Sequence, residues 1–157
     1  MNKSLIERAV VLPALLAEQK REAFAEVLDA LLAAGAISPK TRKQALTQML
    51  AREELGSTGL GNGVAVPHVK EADVEEVVLA LAVSQAGLAF DAIDGRPVHT
   101  MFVVLGQKGA APEEHLQVLR WVSELARNPD FRRFARSAGS ADKLRELLLE
   151  MTTPHGR

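Results

Sequence analysis

Most of the chemistry this 157-residue chain can offer sits in one glycine-rich run and the histidine after it. The run Gly56-Ser-Thr-Gly-Leu-Gly-Asn-Gly63 holds four glycines in eight residues. Backbone amides with no Cβ in front of them can form an anion-binding concavity. The run therefore reads as a phosphate cradle, with Ser57, Thr58, Gly59, Gly61 and Gly63 as candidate contacts, or as a plain glycine-rich turn. It is not a Walker loop: no Gly-Lys-Ser/Thr follows, and it leads into a strand where the P-loop and dinucleotide motifs need a helix. His68 comes next, closing Val64-Ala-Val-Pro-His68. A neutral imidazole keeps a nucleophilic ring nitrogen at cellular pH and can attack phosphorus to form a phosphoramidate.

His68 gains meaning from its company. Arg52 offers a planar fork of donors for a phosphoryl group, and the Ser57 and Thr58 hydroxyls can cover further oxygens. His115, in the first turn of a helix opening near Pro112, could donate to the same phosphate, and the positive helix end there disfavours its cationic form. Each also has a plainer reading: Arg52 as a solvated helix residue, Ser57 and Thr58 as turn formers, His115 as a helix-surface residue. His99 falls within a strand and reads as a core or edge histidine, while His155 falls in a terminal tail. No two of His68, His99 and His115 have the short spacing of zinc motifs, so no metal site and no cofactor is expected. The chain has no cysteine, which removes thiolate nucleophiles, disulfides and cysteine-ligated metals.

These residues need elements to hold them. Phe24, Val27, Leu28, Leu31 and Leu32 recur at helical spacing over Gln19 to Ala34, with Gly35 as the stop. Ser38-Pro39 restarts a helix as N-cap and first residue, with Ala45, Leu46, Met49 and Leu50 on one face and an end near Gly56. The glycine run is expected to be loop throughout, followed by a short strand that ends at His68. Val77–Val83 and Val98–Leu105 are β-branched-rich runs of strand length, joined across an Asp94-Gly95 turn as a hairpin or meander. Their near-continuous hydrophobicity implies that both sheet faces are covered. From Pro112, the apolar stripe Leu116, Leu119, Val122 and Leu125 predicts a helix ending near Asn128-Pro129. Phe131–Ser137 and Ala141–Met151, the latter with Ser140 as N-cap, predict two more.

The order helix, loop, strand, sheet, helix describes one α/β domain, a layered sandwich with a mixed sheet covered by helices on both faces. It spans residues 5–149, with residues 150–157 as a C-terminal tail. With 19 basic and 20 acidic residues, the formal net charge is −1. That lacks the basic excess that phosphate-backbone binding uses, so neither nucleic acid nor a membrane surface is expected as partner. Pro13 and flanking charges interrupt the apolar stretch Ala9–Ala17, which argues against a signal peptide, and the expected location is cytoplasmic.

The string Arg52-Glu-Glu-Leu-Gly-Ser-Thr-Gly-Leu-Gly-Asn-Gly-Val-Ala-Val-Pro-His68 closely resembles the signature of the type-2 enzyme IIA domains of the phosphoenolpyruvate-dependent phosphotransferase system, the fructose, mannitol and nitrogen-related members. Phe90-Asp-Ala-Ile-Asp-Gly-Arg-Pro-Val98 and His115-Leu-Gln-Val-Leu119 resemble two further blocks of that family. The resemblance implies a phosphocarrier in which His68 accepts a phosphoryl group through Nε2 from HPr or a nitrogen-branch HPr-like protein, with Arg52 and His115 lining the phosphohistidine. The Gly-Asn-Gly form of the loop resembles nitrogen-type members, which implies a stand-alone regulatory protein with its own protein target. A sugar-transport enzyme IIA passing phosphate to a IIB domain, and a catalytically silent binding module, are the alternatives. Val69 departs from the small residue that commonly follows the active histidine, and a β-branched side chain there is expected to crowd the site.

Overall fold

The computed structural model describes residues 3–92 and 94–152. It begins with two elements that periodicity does not announce, α1 (Lys3–Arg8) and β1 (Val10–Leu12), each too short to complete a pattern. α2 (Lys20–Ala33) and α3 (Pro39–Leu55) follow where their caps place them. Gly35 takes a φ of +76° just beyond α2, and the Ser38 hydroxyl accepts the Thr41 N–H at 3.1 Å at the start of α3.

The glycine run is not all loop. It contains β2 (Gly59–Gly61), which pairs antiparallel with β3 (Val64–Ala65) through the two-residue connection Asn62-Gly63. Asn62 and Gly63 have φ of 57° and 76°, both left-handed, as a type I′ hairpin turn demands. The Asn-Gly pair was the legible signal for this hairpin, and the permissive glycines around it masked it.

Pro67 then breaks the chain, and His68 opens a strand where it was expected to end one: β4 runs His68–Ala72. Proline has no N–H to give the ladder, so β3 stops before it. Its carbonyl still accepts the Val104 N–H at 3.1 Å, which lets pairing resume at His68. β5 (Val78–Leu88) and β6 (Val98–Gln107) are the long antiparallel pair at the centre, with β5 extending past the expected end at Val83. Among the described residues six strands form one mixed sheet, ordered β1-β5-β6-β3-β2 with β4 also on β6. β3 and β4 thus occupy successive stretches of one edge of β6, both parallel to it.

α4 (Pro112–Arg127), α5 (Pro129–Ser137) and α6 (Ala141–Thr152) complete the chain. Asn128 caps α5, its side chain accepting the Asp130 and Phe131 N–H groups, and Ser140 accepts the Lys143 N–H at 3.2 Å at the start of α6. β6 alternates its side chains between two apolar clusters. Met101, Val103 and Leu105 pack under α2 and α3 with Phe24, Leu28 and Met49, while Phe102 and Val104 pack under α1 and α4 to α6 with Ile6, Val122, Phe131 and Leu148. The sheet is therefore covered on both faces. The tail expected from residue 150 begins inside α6, and residues 153–157, His155 among them, lie outside the described residues.

Candidate functional site

His68 stands at the start of an edge strand, half-buried, where β4 emerges beyond Pro67. Its Nδ1 lies 2.8 Å from the Val66 carbonyl oxygen. A carbonyl can only accept, so this hydrogen bond puts the proton on Nδ1 and leaves Nε2 of the neutral ring as an unprotonated nucleophile. Val69, the next residue, turns the other way: it is buried in the cluster under α2 and α3, because successive strand residues face opposite sides. It also lines the depression shared by Arg52 and His68.

The apolar stripe of α4 runs through His115, Val118, Val122 and Leu125, whereas Leu116, expected on it, is 45% exposed. His115 is thus a buried residue, 8% exposed, and its ring centroid lies 5.8 Å from that of His68. Neither of its ring nitrogens has a hydrogen-bond partner among the described residues. A buried polar group without a partner costs about 1–3 kcal/mol. Burial first, then the charges of His68 and Lys70, push its pKa below the ordinary histidine value, so it stays neutral with one N–H to donate. The ring has room only because residue 106 is glycine. A Cβ there would stand 2.6 Å from both His115 Nδ1 and the Lys70 carbonyl.

Arg52 reaches the site from the last turn of α3. It shares with Gln48, His68, Val69, Lys70 and Glu71 a depression of about 470 Å³, and its Nη1 donates to the Gly56 carbonyl at 2.7 Å. That contact fixes the guanidinium while leaving it further donors. Lys70 borders both this depression and a smaller cleft of about 80 Å³ beside His115. Lys70 and Gly106 were missed in the sequence. Lys70 was legible, two residues after His68 and so on the same strand face; Gly106 was not, since only its neighbours make it necessary.

The near end of the glycine run is tied internally. Glu53 accepts the Thr58 N–H at 2.8 and 3.2 Å through its two oxygens and the Thr58 hydroxyl at 3.1 Å, and Lys20 Nζ lies 3.3 Å from the same carboxylate. The Ser57 hydroxyl accepts the Gly59 N–H at 3.0 Å, and a Cβ on Gly59 would stand 2.7 Å from that of Ala92. The amides of Thr58 and Gly59 are therefore occupied. Their segment supports the histidine in another way: the Thr58 carbonyl accepts the Val66 N–H at 3.0 Å, and the Val66 carbonyl in turn holds His68.

The far end of the run is elsewhere. The Gly63 carbonyl accepts the His99 and Thr100 N–H groups, whereas His68 is paired with Val104. Four to five residues of extended β6 separate them, roughly 13–17 Å. Gly61 belongs to the same hairpin and lies against Asp94. Neither Gly61 nor Gly63 shares the histidine site, because the hairpin carries them along the sheet edge away from it. His99 is held separately, its Nδ1 2.8 Å from the Ser84 carbonyl.

With Nδ1 of His68 held by a carbonyl, a second histidine beside its ring and a guanidinium and an ammonium bordering it, the arrangement suits a phosphoryl group on His68. Residues 4–151 match the family model described as phosphoenolpyruvate-dependent sugar phosphotransferase system, EIIA 2. The chain is 40% identical over 103 residues to a nitrogen regulatory protein of Pseudomonas aeruginosa, a match covering 66% of each chain. It is 33% identical over 132 residues, 84% of each chain, to a fructose-specific EIIA component of Haloferax volcanii. The crystal structure of nitrogen regulatory protein IIA-Ntr from Neisseria meningitidis superposes with a TM-score of 0.77 at 31% identity, covering 93% of this chain and 99% of that one.

Proposed function

The chain belongs to the EIIA type-2 family of the phosphoenolpyruvate-dependent phosphotransferase system, and on that premise we propose that it is a phosphocarrier whose His68 is the phosphoryl acceptor. The donor is a phosphorylated histidine carrier, HPr or its nitrogen-branch counterpart. The Nε2 lone pair of His68 forms the new N–P bond as the bond from phosphorus to the carrier's ring breaks, and that electron pair returns to the carrier. The proton on Nδ1 stays in its hydrogen bond to the Val66 carbonyl, where it stabilises the phosphorylated ring. His115 donates its N–H to a phosphoryl oxygen, and Arg52 and Lys70 offset the developing charge from the rim. The observation that carries this reading is the His68 Nδ1 contact with the Val66 carbonyl at 2.8 Å, which dedicates Nε2 to attack.

Within the family the reading is a nitrogen-type regulatory member, supported by the names of the Pseudomonas and Neisseria relatives. Its output would be the phosphorylation state itself, a change of about −1.5 to −2 in charge at one patch, which alters what a regulatory target docks against. The fructose-specific name of the Haloferax relative favours a second reading, in which a IIB domain receives the phosphoryl group. Incubation with enzyme I, the carrier and labelled phosphoenolpyruvate tests the carrier role. Acid-labile label should appear on the wild type and be lost in His68→Ala; equal labelling of both refutes the assignment. Adding purified IIB domains separates the two readings, since only a sugar-transport member discharges onto one of them.

A further inference from the structure

On the sheet edge away from His68, the Asn62-Gly63 turn borders a depression of about 490 Å³ whose wall is completed by Gln85, His99, Arg132, Arg133 and Arg136. Among the described residues no carboxylate lines it, although the chain as a whole carries a net charge of −1. The arginines come from α5 at spacings that turn Arg132 and Arg136 to one side of the helix, with Arg133 beside them. Asp130 neutralises Arg133 at 3.1 Å, but among the described residues no carboxylate pairs with Arg132 or Arg136. Like charges gathered without counter-charges repel one another.

The pocket is also braced. Gln85 Nε2 donates to the Arg136 carbonyl at 2.7 Å, joining the end of α5 to β5, and Arg132 Nη1 donates to the Ala126 carbonyl at 2.6 Å. His99 is held by the Ser84 carbonyl through Nδ1 and packs against Gly87, where a Cβ would stand 3.2 Å from its ring. The depression is open to solvent, with Gln85, Arg133 and Arg136 exposed at it, and guanidinium forks match phosphoryl oxygens.

From this we infer that the depression is a second anion site, for a small molecule carrying phosphoryl groups that engage Arg132 and Arg136 beside His99. It does not depend on the role of His68.

The test is a proton–nitrogen correlation titration of the full chain with inorganic pyrophosphate and, in parallel, with adenosine diphosphate. Saturable shifts are expected at Gly63, Gln85, His99 and Ser137 with either probe. The Arg136→Ala variant should bind at least about tenfold more weakly, since a charge-assisted contact is lost. Its thermal midpoint should match the wild type, and His68→Ala should retain the shifts at the far pocket. The inference is overturned if neither probe gives saturable shifts, if the shifts fall on His68, Lys70 and Arg52, if Arg136→Ala binds unchanged, or if a glutamate-rich peptide produces the same shifts as strongly.

Discussion

His115 is where single-residue chemistry can be read most directly. Burial and the neighbouring His68 and Lys70 charges hold its pKa below the ordinary value in the folded chain. In the unfolded chain it takes up a proton near pH 6.5, the ordinary histidine value, so below about 6.5 the unfolded state binds more protons than the folded one. The stabilising contribution is complete above that pH and is lost as pH falls through the lowered folded value. The urea midpoint should therefore drop on going from about pH 7 to about pH 5.5, more steeply in the wild type than in His115→Gln. Equal slopes would show that His115 is not the group responsible. Gly106→Ala places a methyl 2.6 Å from the His115 ring and should slow phosphorylation of His68 and lower stability together, read by labelling rate and urea midpoint. Arg52→Ala should slow transfer by about 1.5–3 kcal/mol in activation free energy, the value of a charge-assisted contact, while leaving the urea midpoint near that of the wild type.

Between elements, the decisive link is the clamp from α2 and α3 onto the segment before β2. Glu53 is buried, its side chain 5% exposed, and it holds Lys20 from α2 and Thr58 at once. Glu53→Gln removes the charge that Lys20 and the Thr58 amide require, and breaking a buried pair of this kind costs about 3–5 kcal/mol. A matching fall in the urea midpoint, together with slower labelling of His68, is the expected outcome; an unchanged midpoint would mean the pair contributes nothing. The helices were legible because their signals are local. Gly35 and Ser38-Pro39 sit where a stop and a cap must be, and in the structure α2 ends just before the first and α3 begins at the second. The strands β1 and β2 were not. They have three residues each, and their existence depends on the partner strand rather than on their own alternation, while β3 was legible as the start of the short strand expected to reach His68. The phase of the α4 stripe was misread for a related reason: a histidine on the buried face does not look apolar, so Leu116 took its place in the pattern.

For the molecule as a whole, β6 is the common frame: it pairs with β5 on one edge and with β3 and β4 in turn on the other, and it feeds both apolar clusters. Phe102 is fully buried with its ring 5.9 Å from that of Phe131, whereas Phe134 is 50% exposed. Phe102→Ala should cost about 3–5 kcal/mol and Phe134→Ala within about 0.5 kcal/mol, measured by urea denaturation. Comparable losses would contradict the two-layer core. The same frame sets the spacing of function. Because β6 extends each residue by about 3.3 Å, it holds the histidine pair and the arginine pocket at opposite ends of one sheet edge. Residue types and local spacing by themselves determined the layered α/β class and the helix ends and put forward His68, Arg52 and His115 as candidates, since caps, periodicity and nucleophilicity are properties of short stretches. Only the tertiary structure decided that His115 is buried and unpartnered, that Glu53 holds the loop, that Gly106 must be glycine, and that Gly61 and Gly63 leave the site. Each of those facts is a contact between residues far apart in sequence, and desolvation and close approach exist only once the chain has brought them together.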